Sequence, residues 1–463
     1  MAQKQNTLRV GLVGAGIGGL AAAIAIARAG ADVTVLEAAQ ELGEIGAGIQ
    51  MTPNAARLLR AWGVDKVIGD NLVRFEELNL RRKDGTKVGG GPTIRVEKTL
   101  GQPWWLVHRA HLHEGLVDVA RKNGCDIHID SRVASISYQT PGPVQVQTER
   151  GATFSFDLLI GSDGVGSIVR RTLFPSVKPS PPTTNCAYRA VVPYSQIRKD
   201  PSLVELVSKP TMEVWMAPHA YIITYPISAG KDFNMVLSHH RPNPVIAVED
   251  VDMNDFRNDY RDFDPRIRKI IDMVPTAKRW PLLVTGPLDT WSSPQKNVVL
   301  MGDAAHSMVN HMAQGAATAM EDGAFLGRVL RETVSGRLSL AEAITIYEKS
   351  RMPKAYFKQQ VSFLNGYIWH LPEGQAAINR DKAMEVELKG EQPMRTPNLY
   401  VDPTTVLEVY GYDAEADADE AIRSFLEQHE SKDESTGITK KEADKILNWF
   451  LPEEERFLIP SKF

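Results

Sequence analysis

The stretch LRVGLVGAGIGGLAAAIAIARAGADVTVLEAA, residues 8–39, decides the fold of this chain. It begins with the apolar run Leu8–Val13, which predicts a buried strand, and passes through a glycine-rich turn. The Ala- and Ile-rich run Leu20–Ala29 predicts a helix, with Gly30 as its C-terminal cap. A second apolar run, Val33–Leu36, predicts the next strand. The order strand, turn, helix and strand predicts a Rossmann-like unit.

The turn has the spacing Gly14-x-Gly16-x-x-Gly19. Glycines at this spacing let the backbone turn tightly and approach a pyrophosphate, which then lies on the positive N-terminus of the helix. Glu37 follows about 20 residues later, where an acid can accept hydrogen bonds from a ribose diol. The pattern predicts a dinucleotide site, and a βαβ unit with an unoccupied turn is the structural alternative.

Two later stretches place an aspartate after an apolar run. They are DLLIGSDG at residues 157–164 and NVVLMGD at residues 297–303. Asp163 and Asp303 then lie at the carboxyl ends of predicted parallel strands, where ligands bind in open α/β sheets. A nicotinamide dehydrogenase does not need three such elements so far apart, whereas an extended FAD could use them all.

With these three motifs in this order, residues 8 to about 370 resemble the class A flavoprotein aromatic hydroxylases, and within them the fungal salicylate-hydroxylase-like monooxygenases. Residues 41–64 and 106–116 also resemble family segments. The resemblance implies an α/β fold. Its parts would be a Rossmann-like FAD-binding domain of the aromatic-hydroxylase type, an inserted antiparallel β-sheet for the substrate, and a C-terminal helical tail.

The sequence changes character along this plan, and we expect three regions. They are a discontinuous FAD-binding domain at 1–185 and 285–370, a substrate-binding sheet domain at 186–284 with strand material from about 75–104, and a C-terminal helical region at 371–463. Within the insertion, apolar and polar residues alternate in three runs, at residues 186–194, 212–227 and 233–240. This alternation predicts antiparallel strands with one side that faces a ligand. The acidic run Val248–Phe263 predicts a helix, and the charged segment from Tyr410 onward predicts a peripheral helical tail.

The resemblance implies FAD as the cofactor and assigns residues to it. Glu37 would hold the adenosine ribose, Asp163 would lie near the pyrophosphate, and Asp303 would bind the ribityl chain. Further cofactor contacts would come from Ala47, Gly48 and Arg109. Structural alternatives stay open for two of these residues: Asp163 could form an Asp-Gly turn, and Arg109 could form a surface ion pair.

A further helix is predicted to begin near Gly315 and Ala316. Backbone N–H groups at its start would stabilise the negative charge of a reduced flavin, and the small side chains would let the ring approach. The sequence departs from the family at Asn310, where the loop usually carries a proline. This difference leaves the shape of the oxygen-reaction site open.

The strand CAYRAVVPY, residues 186–194, carries a charge among apolar residues. Its alternation places Ala187, Arg189 and Val191 on one face. A buried arginine needs a partner, which an anionic substrate or a buried salt bridge could supply. The resemblance implies that Arg189 and Tyr221 position a phenolate or carboxylate, with core packing as the alternative for Tyr221. The candidate bases are His219, His239, His240 and His311, and each is also compatible with a structural role.

The resemblance implies a monooxygenase that hydroxylates an aromatic, phenolic substrate. NAD(P)H would reduce the flavin as co-substrate, O2 would add at C4a, and the resulting hydroperoxide would hydroxylate the ring. A non-enzymatic binder like the GDP-dissociation inhibitors and a flavin oxidase or reductase are the alternatives. The chain has no second Gly-x-Gly-x-x-Gly unit after a strand, which counts against enzymes with two dinucleotide domains.

Composition excludes several classes. A net charge of −4 over 463 residues without a basic stripe argues against a nucleic-acid binder. No run approaches the length of a membrane span, and no signal peptide is expected. The two cysteines, Cys125 and Cys186, build no disulfide framework, and no metal-site spacing occurs. A cytoplasmic location is expected, although Ser461-Lys462-Phe463 differs by one residue from a peroxisomal address. The C-terminal region is compatible with a homodimer surface or a lid.

Overall fold

The computed structural model of this protein describes residues 7–43, 47–139, 142–178 and 180–430. Within these residues, five parallel strands form a sheet in the following spatial order: Val298–Leu300, Leu158–Gly161, Arg9–Val13, Asp32–Leu36 and Asp126–His128. The helix Ile17–Arg28 connects the third and fourth of these strands. The predicted order of strand, glycine turn, helix and strand is therefore confirmed. The three motif-bearing strands are neighbours, so their carboxyl ends meet at one edge.

Small residues bring two helices close together over this sheet. The helix Gly315–Val334 packs on Ile17–Arg28, and a Cβ atom at Gly323 would lie 2.7 Å from the backbone of Ala22. Only a residue without a side chain fits at that distance. The close approach sets the start of the helix Gly315–Val334 near the glycine turn, and the prediction that a helix begins at Gly315 is confirmed.

Eight strands of the described chain form a second sheet, which is antiparallel except for one pair. In spatial order they are Glu249–Asp250, Lys278–Pro281, Asn185–Pro193, Asp232–His240, Ala220–Ile227, Thr211–Ala217, Glu77–Arg82 and Lys87–Pro92. The expected strand material near residues 75–104 does join this sheet, through a parallel pairing of Glu77–Arg82 with Thr211–Ala217. The division of the chain into domains at the stated boundaries stays a prediction.

The register of this sheet separates its residues into two faces. Arg189 lies opposite Val236, which lies opposite Ile223, and the next row contains Ala187, Ser238 and Tyr221. Alternate residues of the same strands pack on the other face, under the helices Met253–Asp259 and Pro265–Asp272. The predicted shared face of Ala187, Arg189 and Val191 is confirmed.

The helix predicted at Val248–Phe263 is shorter than expected. It spans Met253–Asp259, because Asp252 caps its N-terminus by accepting a hydrogen bond from the Asn254 N–H at 2.6 Å. Glu249–Asp250 instead forms the edge strand of the second sheet. The acidic composition of this run predicts a single helix and does not indicate that a short strand precedes it.

Smaller elements complete the chain up to the long C-terminal helices. Two three-stranded sheets of the described residues contain Val133–Ser137, Val144–Thr148 and Thr153–Phe156 in one case, and Gly48–Met51, Val73–Arg74 and Trp105–His108 in the other. The remaining α-helices before residue 310 are Pro53–Trp62, Val64–Ile68, Ile94–Leu100, Arg109–Lys122, Ile168–Leu173, Tyr194–Ile197 and Asp303–His306.

The C-terminal part of the chain is built from helices, but its first half is not peripheral. The helices are Leu340–Trp369, Gln375–Leu388, Pro403–Thr405 and Ala414–Glu430. Between them Tyr400 and Tyr410 are buried and pack on Trp104, with ring centroids 5.5 and 4.9 Å away. The expected C-terminal helical tail is confirmed by the helix Ala414–Glu430, but Tyr410 at its start is buried and not peripheral. The rest of the tail, including Ser461-Lys462-Phe463, lies outside the described residues.

Two expectations from the sequence concern a membrane-spanning helix and a metal site, neither of which is predicted. None of the helices that the structure describes combines the length and apolar character of a membrane span. No group of three or more His, Cys, Asp or Glu side chains in the described part of the chain is arranged to hold a metal ion.

Candidate active site

A cavity of about 720 Å³ lies between the parallel sheet and the eight-stranded sheet. It brings together most of the residues that the sequence singled out. The predicted residues on its wall are Gly14, Gly16, Glu37, Gly48, Arg109, Asp163, Arg189, Tyr221, Asp303, Gly315 and Ala316. Gly19 and Ala47 lie behind the wall. A Cβ atom at Gly19 would clash with the Gly14 carbonyl oxygen at 2.1 Å, and the Ala47 carbonyl accepts a hydrogen bond from the Arg109 N–H at 3.2 Å.

The glycine turn has the shape that a pyrophosphate needs. Gly14 has a φ of +102°, and a Cβ atom there would lie 2.7 Å from the Ser162 carbonyl oxygen. Gly16 caps the helix Ile17–Arg28 without a side-chain hydrogen bond, and a Cβ atom on it would meet open space. No side chain of the cap therefore satisfies the first N–H groups of this helix, and a phosphate at the turn can do so. The turn fits a dinucleotide cofactor.

Glu37 forms a hydrogen bond with the glycine turn and also lines the cavity. Its Oε2 accepts a hydrogen bond from the Ala15 N–H at 2.7 Å, and its Oε1 accepts one from the Ala39 N–H at 2.8 Å. The carboxylate therefore ties the end of the strand Asp32–Leu36 to the glycine turn while it lines the adjacent cavity. No pattern in the sequence indicates this structural contribution.

Asp163 also has a structural role. It accepts hydrogen bonds from the Ser167 hydroxyl at 2.5 Å and from the Ile168 N–H at 2.7 Å, which organises the start of the helix Ile168–Leu173. Burial raises the pKa of the Asp163 carboxyl, although these hydrogen bonds oppose the rise. These contacts organise a helix start and are not an Asp-Gly turn, and the side chain also lies on the cavity wall.

Asp303 begins the helix Asp303–His306 and is exposed to the cavity. The preceding Gly302 has a φ of +57°, and its N–H donates to Asp322 Oδ2 at 3.0 Å. The same oxygen lies 2.6 Å from His306 Nε2. The surrounding protein raises the pKa of Asp303 by desolvation, and electrostatic interactions with His306 and Arg109 oppose this rise. The carboxylate thus lies at a fixed position on the cavity wall.

The loop before the helix Gly315–Val334 adopts a strained conformation. Ala313 has a φ of +54°, in the left-handed region that favours glycine. Asn310 and Ala313 line the cavity together with Gly315 and Ala316. The position that is usually proline in the resembling family thus presents an amide side chain to the cavity.

Apolar and aromatic side chains form the wall on the second sheet. Arg189 lies among them, with its guanidinium carbon 5.6 Å from the centroid of the Trp280 ring. The neighbouring sheet residues on the wall are Tyr221, Ile223, Tyr225 and Val236. Gly48 touches this sheet directly: its N–H donates to Asn234 Oδ1 at 2.7 Å, and a Cβ atom there would lie 2.5 Å from the Tyr225 ring. The strand that begins at Gly48 is therefore in direct contact with the eight-stranded sheet.

Of the four candidate bases, His311 lies next to the cavity. Its Nδ1 is 2.9 Å from the Tyr221 hydroxyl. Burial lowers the pKa of His311 to about 3, so the imidazole is neutral near pH 7. His239 instead lies 3.8 Å from Asp259, and His240 is hydrogen-bonded to Thr184.

Several wall residues were missed by sequence reasoning. They are Gln50, Met308, Trp369 and Tyr400. Trp369 is the last residue of a long helix, and Tyr400 lies between helices without any periodic pattern. The Tyr400 ring stacks on Trp369, with centroids 5.6 Å apart, and its hydroxyl donates to the His311 carbonyl at 3.3 Å. No local signal in the sequence marks Tyr400, because its contacts are made by distant segments.

Comparison with known proteins gives matches over most of the chain. A family model described as an FAD binding domain matches residues 7–359. The FAD-dependent monooxygenase OpS4 of Beauveria bassiana (strain ARSEF 2860) is 32% identical over 427 residues, which cover 91% of this chain and 99% of that protein. The 3-hydroxybenzoate 6-hydroxylase of Polaromonas naphthalenivorans (strain CJ2) is 33% identical over 384 residues, covering 82% of this chain and 93% of that protein.

Solved structures share the fold. The structure of CtdE in complex with FAD and substrate 4 superposes with a TM-score of 0.76 at 20% identity, covering 92% of this chain and all of that chain. A salicylate hydroxylase substrate complex gives a TM-score of 0.71 at 19% identity, covering 90% of this chain and 98% of that chain. These similarities confirm the expected fold, with an FAD-binding region and an inserted antiparallel sheet.

Proposed function

Because the chain belongs to the FAD-binding family of class A flavoprotein aromatic hydroxylases, we propose that this FAD-dependent monooxygenase hydroxylates a phenolic ring with NAD(P)H and O2. In this reaction one oxygen atom of O2 replaces a ring hydrogen as a hydroxyl group, and the other leaves as water. NAD(P)H supplies the two electrons, and a proton is taken up. The observation that supports this proposal most is the single cavity that joins the glycine turn, Asp303 and the Arg189 face of the second sheet.

The cofactor would be held by the residues at the parallel-sheet end of the cavity. The glycine turn would bind the pyrophosphate, Glu37 the adenosine ribose, and Asp303 the ribityl chain, with Asp163, Arg109 and Gly48 as further contacts. The helix start at Gly315 and Ala316 would face the flavin ring, where its N–H groups favour negative charge. When bound, FAD supplies the redox chemistry by taking electrons from NAD(P)H and activating O2.

The substrate would lie at the Arg189 end. The Arg189 guanidinium would hold a phenolate or carboxylate oxygen, since it is a cation on an otherwise apolar and aromatic wall. In the tautomer with the proton on Nδ1, His311 donates to the Tyr221 oxygen, and the Tyr221 hydroxyl would exchange its long hydrogen bond to Asn310 Oδ1, at 3.4 Å, for one to the substrate. Both contacts favour the ionised phenol, whose ring carbons are more nucleophilic. The surrounding aromatic rings would exclude water from the reacting atoms.

The proposal is tested with purified protein that contains FAD. A panel of benzoate, salicylate, 3-hydroxybenzoate and larger phenols is scored by stimulated NAD(P)H oxidation and by product mass under isotopically labelled O2. We expect at least one phenol to give a product that contains one labelled oxygen atom. If every compound gives only hydrogen peroxide, the protein is a flavin oxidase and the proposal is wrong.

A further inference from the structure

A buried network of charged and polar side chains lies behind the start of the helix Asp303–His306 and the loop that carries Ala313. We call it the loop network, and its members are Gln314, Glu321, Asp322, Arg351 and Lys358, each at most 1% exposed. Arg351 donates to Asp322 Oδ1 at 2.9 Å and to Glu321 Oε2 at 3.0 Å. The charges are thus paired inside the protein, and the two cations come from the helix Leu340–Trp369.

Lys358 connects this network to the loop at Ala313. Its ammonium group donates to Glu321 Oε1 and, at 3.2 Å, to Gln314 Oε1. The Asn54 side-chain amide donates to the same two residues, at 3.0 Å to Gln314 and 2.6 Å to Glu321. Burial lowers the pKa of Lys358 to about 8, although Glu321 opposes the shift. The protein therefore keeps a costly buried cation at this position.

Gln314 is the residue through which Lys358 can reach the cavity. It caps the helix Gly315–Val334, and its Nε2 donates to the Thr52 hydroxyl at 2.9 Å. Its neighbour Ala313 holds a left-handed backbone conformation, and such strain persists only where the surroundings fix it. The side-chain hydrogen bonds of Gln314 fix the residue that follows Ala313, while Ala313 and Gly315 lie on the cavity wall.

We propose that Lys358 is a positioning residue that acts through Gln314. By holding Gln314 it directs the first N–H groups of the helix Gly315–Val334 toward the flavin and so raises the reduction potential of bound FAD. The inference rests on the proposed function, which places the flavin ring at this helix start. Helix N–H groups stabilise negative charge that develops opposite them only when their orientation is fixed beforehand. A loop freed from Lys358 would lose part of that stabilisation.

The chain offers a matched control for a Lys358→Met variant. Lys354 lies one helical turn earlier, and its ammonium group lies 5.1 Å from the Tyr412 ring centroid, compared with 5.2 Å for Lys358. The described contacts of Lys354 do not include Gln314 or Glu321. Lys354→Met therefore removes the same kind of ring contact and leaves the loop network intact.

The experiment measures the midpoint potential of bound FAD by reductive titration against a reference dye, without substrate. The dissociation constant of FAD and the melting temperature are measured in parallel. For Lys358→Met we expect the two-electron equilibrium to shift about tenfold toward oxidised flavin, which corresponds to about 30 mV. Lys354→Met should leave the potential unchanged. A Lys358→Met protein that melts earlier but keeps the potential would show a purely structural role and overturn the proposal.

A second variant covers the case in which Lys358→Met fails to fold. Gln314→Leu removes the oxygen that Lys358 binds and preserves the ion pair between Lys358 and Glu321. It should shift the potential in the same direction, and an unchanged potential would overturn the proposal by itself. Because the titration needs bound FAD and no substrate, it is independent of whether any phenol is hydroxylated. Failure of the substrate panel and failure of this inference are therefore distinguishable.

Discussion

The Tyr221 hydroxyl and the His311 Nδ1 atom lie 2.9 Å apart in a cluster of buried rings. The Trp369 ring meets Tyr221 edge to face at 4.9 Å, and the His370 ring lies 5.5 Å from His311. Such surroundings disfavour an imidazolium ion, which is why the pKa of His311 falls to about 3. The pair therefore works as a neutral hydrogen-bonding unit, and its neutrality has a measurable effect on stability.

Stability should fall as the pH falls from about 6.5, the usual histidine pKa in an unfolded chain, toward about 3. In this window the unfolded chain binds a proton at residue 311 and the folded protein does not. The free energy of unfolding then decreases by about 1.4 kcal/mol per pH unit for this residue. His311→Asn should remove this contribution, so the free energy of unfolding should depend less steeply on pH, by about 1.4 kcal/mol per pH unit. Urea unfolding between about pH 7 and pH 5 measures it, and equal slopes in the two proteins would show that His311 is protonated when folded.

Arg189→Ala should separate substrate binding from folding. We expect the variant to retain FAD and its melting temperature but to lose about a hundredfold in phenol-stimulated NAD(P)H oxidation, because a misplaced substrate reacts slowly. Arg189→Lys should restore only part of the rate, since an ammonium group cannot bind an oxyanion through two parallel hydrogen bonds. The ratio of hydroxylated product to NAD(P)H consumed is measured beside the melting temperature.

Arg279→Ala is the matched control for this experiment. Arg279 lies on the adjacent strand and donates to the Tyr188 hydroxyl at 3.2 Å, on the opposite face of the sheet. Its removal should lower the melting temperature and leave the product ratio unchanged. If Arg189→Ala instead behaves like Arg279→Ala, then Arg189 is a structural residue and Tyr221 is the better candidate for holding the substrate.

Asp303→Ala should weaken FAD binding by about ten- to a hundredfold, the effect of losing one charge-assisted hydrogen bond of about 1.5–3 kcal/mol. Flavin content and the dissociation constant of the reconstituted protein check this. Asp157→Ala removes a carboxylate that forms a partly exposed ion pair with Arg9 at 2.7 Å, and it should retain FAD. A full flavin complement in the Asp303 variant would remove this residue from the cofactor site.

Glu37→Gln and Glu37→Ala should both weaken FAD binding without altering the product. The alanine variant should be more strongly affected, because the carboxylate also accepts the Ala15 and Ala39 N–H groups. A glutamine can keep one of these bonds through its single carbonyl oxygen. Product analysis at saturating FAD distinguishes the two effects, and a changed product pattern would place Glu37 near the substrate instead.

The features that could be predicted from the sequence are those encoded by residues close together along the chain. The glycine turn, Glu37 and the aspartates at the strand ends depend on local order along the chain, and all of them line the cavity. Strand alternation likewise predicted the face of Arg189. Tyr400 and Trp369 could not be predicted, because they reach the cavity through packing between segments far apart in sequence. The loop network was missed for the same reason: Gln314 and Lys358 are 44 residues apart.

The two faces of the strand Ala220–Ile227 pack in different surroundings. Tyr221, Ile223 and Tyr225 wall the cavity, whereas Ile222 packs in the cluster on the other side. A gene library randomised at the three cavity positions therefore alters the cavity wall and its adjoining core but leaves the cluster on the opposite face unchanged. Insertion of one residue would exchange the two sets and destroy both. Point mutation along this strand can thus reshape the cavity wall, whereas a change in the length of the strand cannot do so without disrupting the opposite face.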